Sequence, residues 1–295
     1  ATEATMKYFL IQTTAAAMIL FAGTLNAWQS GQWTLMQPMH PAPTALLTLA
    51  VAMKLGMAPT HAWYPEVLQG STLTLALVIS TWQKLAPLSF LYMTMNTLNP
   101  NMLLLLGLTS ALIGGWAGLN QTQMRKVLAF SSIAHMGWLT TALSMNLNLT
   151  TLTLLIYIAM TTTMFLMLIP TTTKTLLDLS TLGTFAPMMQ TTTLLTMMSL
   201  GGLPPLSGFL PKWLIMKEMV MMDMLPLSTV LLLASLPSLF FYVRVAYLTA
   251  LTIAPTTTNT EHKWRFKTPP TTPMPMITMF TLISLPLTPM LYYTT

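Results

Sequence analysis

Nine apolar stretches, most of them about 20 residues long or longer, follow one another along the sequence and leave room for little else. A helix needs about 20 apolar residues to cross the hydrocarbon core of a bilayer. Only 6% of the 295 residues are charged, whereas an average soluble domain has about 25%. Because so few charges cannot cover a water-facing surface, the sequence predicts an all-α, polytopic bundle of transmembrane helices.

The predicted spans are separated mostly by short polar loops. They cover residues 6–28, 44–63, 71–95, 101–119, 124–145, 149–170, 188–222, 226–251 and 274–293, and the seventh is interrupted. Two connections are longer, 171–187 and 252–273, and neither is typical of a soluble domain. The sequence therefore predicts a single membrane domain with loops between its spans.

Basic residues concentrate at one end of this predicted bundle. If the spans alternate in direction, the end of the bundle at which residue 1 lies carries Lys7, Arg125, Lys126, Lys174, Lys263, Arg265 and Lys267. Arg244 can reach the same end. The other end has Lys217 beside Glu218. Basic loops stay on the cytoplasmic or mitochondrial matrix side of a membrane. We therefore interpret Arg125 and Lys126 as charges that set topology or contact lipid head groups.

Several classes of site are excluded by what the sequence lacks. It has no cysteine, which rules out disulfides, cysteine-ligated zinc and iron–sulfur ligation on this chain. It has no G-x-G-x-x-G dinucleotide-binding motif and no cluster of histidine ligands. The net charge of +6 comes from scattered residues, so we expect no nucleic-acid partner.

Three lysines lie away from both ends of their predicted spans: Lys54, Lys84 and Lys212. A lysine at the bilayer centre costs on the order of 2.5–3.5 kcal/mol on insertion scales. The alternative is that each lysine side chain extends along its helix to the membrane–water interface. We instead expect the three to face a hydrated interior, where a lysine can gain and lose a proton. His61 and His135 share these spans and are either hydrogen-bonded helix contacts or proton relays.

A short pattern occurs twice, once in the second span and once in the seventh. "GMAPTHAWYPE" (56–66) and "GLPPLSGFLPK" (202–212) both fit G-x-x-P-x5-P, which pairs Gly56 with Gly202, Pro59 with Pro205, and Pro65 with Pro211. Spans five apart cross a membrane in opposite directions, as an inverted repeat requires. Interrupted spans at corresponding positions of two halves point to an ion site. We therefore predict helix breaks at both places, with the freed carbonyls facing water or protein.

Four segments resemble the NADH dehydrogenase subunit 2 family, the antiporter-like membrane subunits of mitochondrial respiratory complex I. They are "KLGMAP" with the following "HAWYPEV", "TWQKLAP", "GGWAGLNQTQMRKVLAFSSIAHMGW" and "GGLPPLSGFLPKW". The resemblance implies two inverted five-helix repeats, each with one broken helix. It assigns Lys54 and Lys84 to the first repeat's proton path and Lys212 to the second's. It places His61 and His135 on the hydrophilic axis between them.

The resemblance also implies an organisation and a setting. Residues 1–95 would be the remainder of the first repeat, 101–251 the second repeat, and 274–293 an extra C-terminal helix. The family's chain begins about fifty residues earlier, with two more helices and a glutamate that pairs with the first lysine. Glu66, at a helix end, is a poor substitute for that glutamate.

The same resemblance names a location and partners. It implies the mitochondrial inner membrane, with the N-terminal end and basic loops in the matrix and the C-terminus on the intermembrane-space side. The implied partners are neighbouring antiporter-like and accessory subunits and lipids such as cardiolipin. NADH, FMN, iron–sulfur clusters and ubiquinone would be bound by other subunits, with no cofactor and no metal on this chain.

Two alternatives to a proton-translocating subunit stay open on the sequence. One is a free-standing cation/proton antiporter with the same fold. The other is a structural or assembly subunit that pumps nothing. The mid-span lysines disfavour the second, because a spacer has no reason to carry charges that are costly in a membrane.

Overall fold

The computed structural model describes residues 2–35, 40–171, 173–185 and 187–251, together with positions 278 and 281. Over these ranges the chain is all-helical, with no β-strand. The helices are Thr2–Ser30 (α1), Pro41–Leu55 (α2), Trp63–Gly70 (α3), Leu73–Ser80 (α4), Trp82–Thr94 (α5), Pro100–Gly118 (α6), Met124–Met145 (α7), Leu147–Thr171 (α8), Leu176–Phe185 (α9), Pro187–Gly201 (α10), Phe209–Met221 (α11) and Leu225–Ala250 (α12).

Five of the described helices are long and apolar enough to cross a bilayer on their own, namely α1, α6, α7, α8 and α12. The third predicted span is instead a pair of shorter helices, α4 and α5. The seventh, predicted to be interrupted, consists of α10 and α11, and the second, 44–63, covers most of α2 and ends at the first residue of α3. The ninth predicted span, 274–293, lies outside the described residues except for Thr278 and Thr281.

Helix α9 lies where the sequence predicted a loop, so that prediction is wrong. A reciprocal cap begins the helix: the Asp178 carboxylate accepts from the backbone N–H groups of Lys174 at 3.1 Å and Thr175 at 2.8 Å, and the Asp178 N–H donates to the Thr175 hydroxyl at 3.3 Å. Such a cap satisfies backbone donors that a helix start leaves without partners. The T-x-x-D spacing before an apolar run was the signal in the sequence.

The third predicted span is not continuous, because the helix is interrupted at Thr81 (φ −115°, ψ −70°). The Leu77 carbonyl accepts from the Thr81 N–H at 3.0 Å, the Thr81 hydroxyl at 2.8 Å and the Ser80 hydroxyl at 3.0 Å. Hydroxyls that bond back to the preceding turn compete with the helical ladder and bend helices. The uninterrupted span over 71–95 was therefore wrong at this residue.

Polar contacts tie together the segments predicted to share the basic end. Lys7 and Glu66 form an exposed ion pair at 2.5 Å. The Arg125 guanidinium donates to the carbonyls of Gln69 at 3.1 Å and of Ser71. Gln69 lies in the last turn of α3 and Ser71 directly follows it, where a helix leaves acceptors without partners. The interpretation of Arg125 as a topology charge alone is therefore wrong, since it also caps α3.

Two further contacts join connections at the same predicted end. The Met124 N–H donates to the Lys174 carbonyl at 3.1 Å, which links the start of α7 to the segment before α9. The Arg244 guanidinium, near the end of α12, donates to the Leu119 carbonyl at 2.6 Å, just after α6. The ends of α6, α9 and α12 therefore meet around the start of α7.

Close packing against α6 places α7 in the interior. A Cβ at Gly137 would lie 2.5 Å from the Gly107 carbonyl oxygen, and one at Gly114 would lie 2.6 Å from the Ala134 nitrogen. Small residues at such crossings let membrane helices approach backbone to backbone. Within the apolar 18-residue window of α7, 89% of the residues are buried. This helix carries His135, so the close approach fixes a histidine in the middle of the bundle.

Candidate proton-transfer site

The breaks between α2 and α3 and between α10 and α11 have the same backbone geometry. Gly56 follows α2 with φ 70°, and Gly202 follows α10 with φ 83°, a left-handed conformation that glycine adopts without penalty. In both, the glycine N–H bonds to the carbonyl three residues back and the next N–H to the carbonyl five residues back, at 2.9–3.4 Å. This is a Schellman cap. Trp63 and Phe209, the first residues of α3 and α11, each stand seven positions after the glycine.

The prolines of the repeated pattern occupy two kinds of position. Pro59, which follows a cis peptide bond, and Pro205 lie in the non-helical turns. Pro211, which the sequence assigned to a break, is instead the third residue of α11. Proline is tolerated in a first turn because the N–H it lacks would have no helical partner there. Pro211 therefore lies in the first turn of the helix that carries Lys212.

Lys212 is buried against the break that precedes it, with 9% of the residue exposed. Its ammonium donates to the Gly201 carbonyl at 3.0 Å. That carbonyl ends α10 and has no further helical turn to satisfy it. A Cβ on Gly202 would lie 3.0 Å from the Lys212 Nζ, so glycine serves here both for its φ and for the space it leaves. Lys212 is therefore held by a carbonyl that the helix break sets free.

Lys84 is 3% exposed and sits just after the interruption at Thr81. Its Nζ donates to the Tyr157 hydroxyl at 3.1 Å and lies 4.8 Å and 5.2 Å from the ring centroids of Tyr64 and Tyr157. Tyr157 in turn donates to the Ser80 carbonyl at 2.9 Å. The Lys84 N–H bonds to Thr81 rather than Ser80. As at Lys212, a buried lysine is connected to a carbonyl at a helix interruption, here through a tyrosine.

His135 is close to Tyr157, the hydrogen-bond partner of Lys84, and lines two small cavities together with Lys212. Its ring centroid is 5.7 Å from that of Tyr157. One small cavity, of about 20 Å³, is lined by His135, Tyr157 and Lys212 among others, and a second, of about 10 Å³, is lined by His135, Lys212 and Tyr242 among others. A cavity of roughly 10–15 Å³ is enough for one water molecule. Lys84, Tyr157, His135 and Lys212 therefore form one buried polar line through the bundle.

Lys54 and His61 flank the first break and do not line these two cavities. Lys54 is half-buried in the last turn of α2, where the helix dipole favours a positive charge. The His61 carbonyl accepts from the Tyr64 N–H at 3.0 Å. Its Nδ1 is buried and has no hydrogen-bond partner among the described residues. Of the five sequence-predicted protonatable groups, the structure thus brings together Lys84, His135 and Lys212.

Tyr157 was missed by the sequence reasoning, although a signal was present. It stands in "LTLLIYIAM", the middle of an aliphatic span. A buried tyrosine usually finds a hydrogen-bond partner for its hydroxyl, so a tyrosine at mid-span marks a polar contact. Its partners Ser80 and Lys84 come from α4 and α5, more than seventy residues away in the chain, and no local pattern names them.

A much larger cavity is a poor candidate for proton chemistry. It measures about 480 Å³ and lies between α5, α7 and α8, with mainly aliphatic lining residues. Tyr92 is the titratable side chain among them. Among the described residues, no group of three or more His, Asp or Glu side chains could hold a metal ion. Of the sequence-predicted protonatable groups, His135 and Lys212 line the two small cavities, and Lys84 is linked to the first of them through Tyr157.

Comparison with known proteins identifies the family. A model described as "NADH:quinone oxidoreductase/Mrp antiporter, TM" matches residues 1–238, and one described as "NADH dehydrogenase subunit 2 C-terminus" matches residues 239–292. The chain belongs to the NADH dehydrogenase subunit 2 family. Curated relatives named NADH-ubiquinone oxidoreductase chain 2 are 48% identical in Dasypus novemcinctus, over 98% of this chain and 84% of the relative, and 49% identical in Ovis aries, over 99% and 84%.

Solved structures agree with this NADH dehydrogenase subunit 2 membership. A chain of respiratory complex I from Thermus thermophilus is 27% identical, with a TM-score of 0.84 over 99% of this chain and 68% of that one. A chain of the Mrp complex from Dietzia sp. is 17% identical, with a TM-score of 0.76 over 84% and 50%. At that identity the Mrp likeness concerns the fold alone. The resemblance inferred from the four sequence segments is confirmed, as is an all-helical, antiporter-like membrane fold.

Proposed function

We propose that this chain is a proton-translocating membrane-arm subunit of respiratory complex I in the mitochondrial inner membrane. One observation carries the proposal: two lysines buried inside the bundle, Lys84 and Lys212, are each linked to a carbonyl at a helix interruption, with His135 lining a cavity beside Lys212. The relatives' name, NADH-ubiquinone oxidoreductase chain 2, supports the setting. In this function Lys84 and Lys212 hold and release protons, and His135 passes them on. Lys54 and His61 lie upstream, beside the first break.

The energetics of the buried lysines favour a transport role over a structural one. A charged lysine in the membrane interior costs on the order of 2.5–3.5 kcal/mol. Moving one elementary charge across 100 mV requires about 2.3 kcal/mol. The two quantities are of the same size, so a modest change in a lysine's surroundings suffices to drive a proton against the membrane potential. A helix interruption is a place where such a change is structurally easy, because few ladder hydrogen bonds oppose it.

We further propose nine spans arranged as two inverted repeats, over 1–95 and 101–251, with an extra helix at 274–293. The matching Schellman caps at Gly56 and Gly202 support corresponding breaks in two halves. Hydrogen bonds between the basic segments, such as that from Arg244 to the Leu119 carbonyl, support spans that alternate in direction. Because basic loops stay on the matrix side, we propose that this end, with the N-terminal end of this chain, lies in the matrix and the C-terminus on the intermembrane-space side.

Electron transfer belongs to other subunits in this proposal. NADH, FMN, iron–sulfur clusters and ubiquinone would be bound elsewhere in the complex, since this sequence has no cysteine and no dinucleotide-binding motif. The partners are the neighbouring antiporter-like and accessory membrane subunits and lipids such as cardiolipin. Energy would then reach this chain as a conformational change rather than as an electron.

A free-standing cation/proton antiporter is the second candidate, favoured by the fold shared with a chain of the Mrp complex. Reconstitution separates the two. We expect the chain in mildly solubilised membranes to comigrate with NADH-oxidising activity. In liposomes loaded with a pH-sensitive dye, the purified chain alone should not exchange protons for Na⁺ or K⁺, whereas the intact complex should release protons on addition of NADH. Cation-driven proton exchange by the chain alone would favour the antiporter.

A further inference from the structure

We propose that the Tyr157 hydroxyl carries protons between Lys84 and the cavity lined by His135 and Lys212. The inference rests on the proposed function, in which Lys84 holds a mobile proton. Tyr157 touches both sides of this step, because it hydrogen bonds to Lys84 and its side chain lines the cavity of about 20 Å³. Tyr157 thus joins the buried Lys84 to the cavity that His135 and Lys212 line.

The hydrogen bonds of Tyr157 are arranged as a relay requires. A tyrosine hydroxyl has one proton to donate and two lone pairs to accept with. Lys84 Nζ donates to one lone pair at 3.1 Å, and the hydroxyl proton points to the Ser80 carbonyl at 2.9 Å. Accepting from an ammonium while donating onward is the arrangement in which one proton can arrive as another leaves.

The proton transfer balances without any co-reactant. An N–H bond of the Lys84 ammonium breaks as an O–H bond forms on Tyr157. The original Tyr157 proton passes to a water molecule in the cavity, and that water gives a proton to the His135 imidazole. One proton has then moved from Lys84 to His135, leaving a neutral amine and an imidazolium, with Tyr157 and the water unchanged. Lys212, which lines the same cavity, lies next along the line.

The Ser80 carbonyl makes this step conditional. Ser80 does not line the cavity, so the hydroxyl proton faces away from it while the bond to Ser80 is present. The proton must leave this acceptor before it can enter the cavity. Ser80 is the last residue of α4, beside the interruption at Thr81, so a shift of α4 relative to α5 would release Tyr157. The interruption thereby acts as a gate on the path.

The test compares Tyr157→Phe with Tyr157→Gln in the intact complex. Tyr157→Phe keeps the ring and removes the relay, so coupled NADH:quinone turnover and proton release should fall at least about tenfold at normal complex abundance. A glutamine amide can accept from Lys84 and donate to Ser80 but is not a proton carrier, so Tyr157→Gln should assemble and stay equally slow. Tyr92→Phe, the same change on the exposed side of α5, is the matched control and should behave as wild type.

The outcomes separate this inference from the proposed function. Full turnover in Tyr157→Phe, or recovery in Tyr157→Gln, would overturn the relay and leave Tyr157 dispensable or merely a support for Lys84. Failure of both variants to assemble would overturn it in favour of a packing role. Lys84→Met is measured in parallel. If Lys84→Met loses activity while Tyr157→Phe keeps it, only the relay fails. If both variants keep full pumping, the relay and the proposed function both fail.

Discussion

Lys212→Met is expected to reduce coupled NADH:quinone turnover at least about tenfold while the complex still assembles. Methionine is close to lysine in shape, and removing a buried charge that is costly to bury need not weaken packing. The Gly201 carbonyl is left without its donor, which costs about 1–3 kcal/mol. Turnover should fall because electron transfer stalls when its proton step cannot finish. Lys212→Arg should fail as well, since a guanidinium does not release its proton near neutral pH.

The control for Lys212 is on the same helix. Lys217 lies five residues later in α11 and its side chain is exposed. Lys217→Met removes the same charge from the same element without entering the buried line, so turnover should stay within about twofold of wild type. Both variants are compared at equal amounts of assembled complex on a native gel. Normal pumping in Lys212→Met would make Lys212 a structural residue and favour the non-pumping alternative.

Gly208→Val is expected to abolish assembly of the complex. A Cβ at Gly208 would lie 1.8 Å from the Ser199 carbonyl oxygen and 2.8 Å from its carbon, and both atoms are backbone. No rotamer change relieves such a contact, so α10 and α11 must separate, and the Lys212–Gly201 hydrogen bond stretches with them. Overpacking of a tight site typically costs about 1–3 kcal/mol and sometimes more. Valine adds two further methyl groups at this point.

Assembly is the readout for Gly208, measured as the abundance of the intact complex in mitochondrial membranes. We expect at least a tenfold reduction. Gly23→Ala is the matched glycine control, because the nearest atom to a Cβ there lies 3.9 Å away, and it should leave abundance unchanged. Wild-type abundance of the Gly208→Val complex would mean that α10 and α11 are not packed as closely as this geometry requires.

How far the sequence determined the fold depends on how local each feature is. The span over 124–145 coincides with α7, because a polar loop precedes it and Asn146 follows it. The breaks at Gly56 and Gly202 rest on a glycine and prolines only a few residues apart, which one short pattern contains. The interruption at Thr81 was missed because Thr and Ser are ordinary in this Thr-rich chain. Only the geometry shows that these hydroxyls compete for the Leu77 carbonyl.

In the candidate site, too, some features are visible in the sequence and others depend on contacts between distant segments. Lys84 and Lys212 stood out because a charge inside an apolar span is conspicuous on its own. The link between Lys84 and Ser80 needs Tyr157, which joins them from α8 across the bundle. Arg125 was likewise assigned by its position near an interface, whereas its contacts with Gln69 and Ser71 come from a distant turn. Pairings between distant segments are set by helix packing, and single-sequence patterns do not contain them.

Proton release by the Lys84→Met complex tests the central claim most directly. The complex would be reconstituted into liposomes at wild-type abundance, and NADH oxidation and proton release followed together after a pulse of NADH. If Lys84 is on the path, both rates should fall at least about tenfold, and an uncoupler should not restore NADH oxidation, because the block lies in the proton step rather than in back-pressure. Wild-type rates, with an unchanged number of protons released per NADH, would contradict a proton path through this chain.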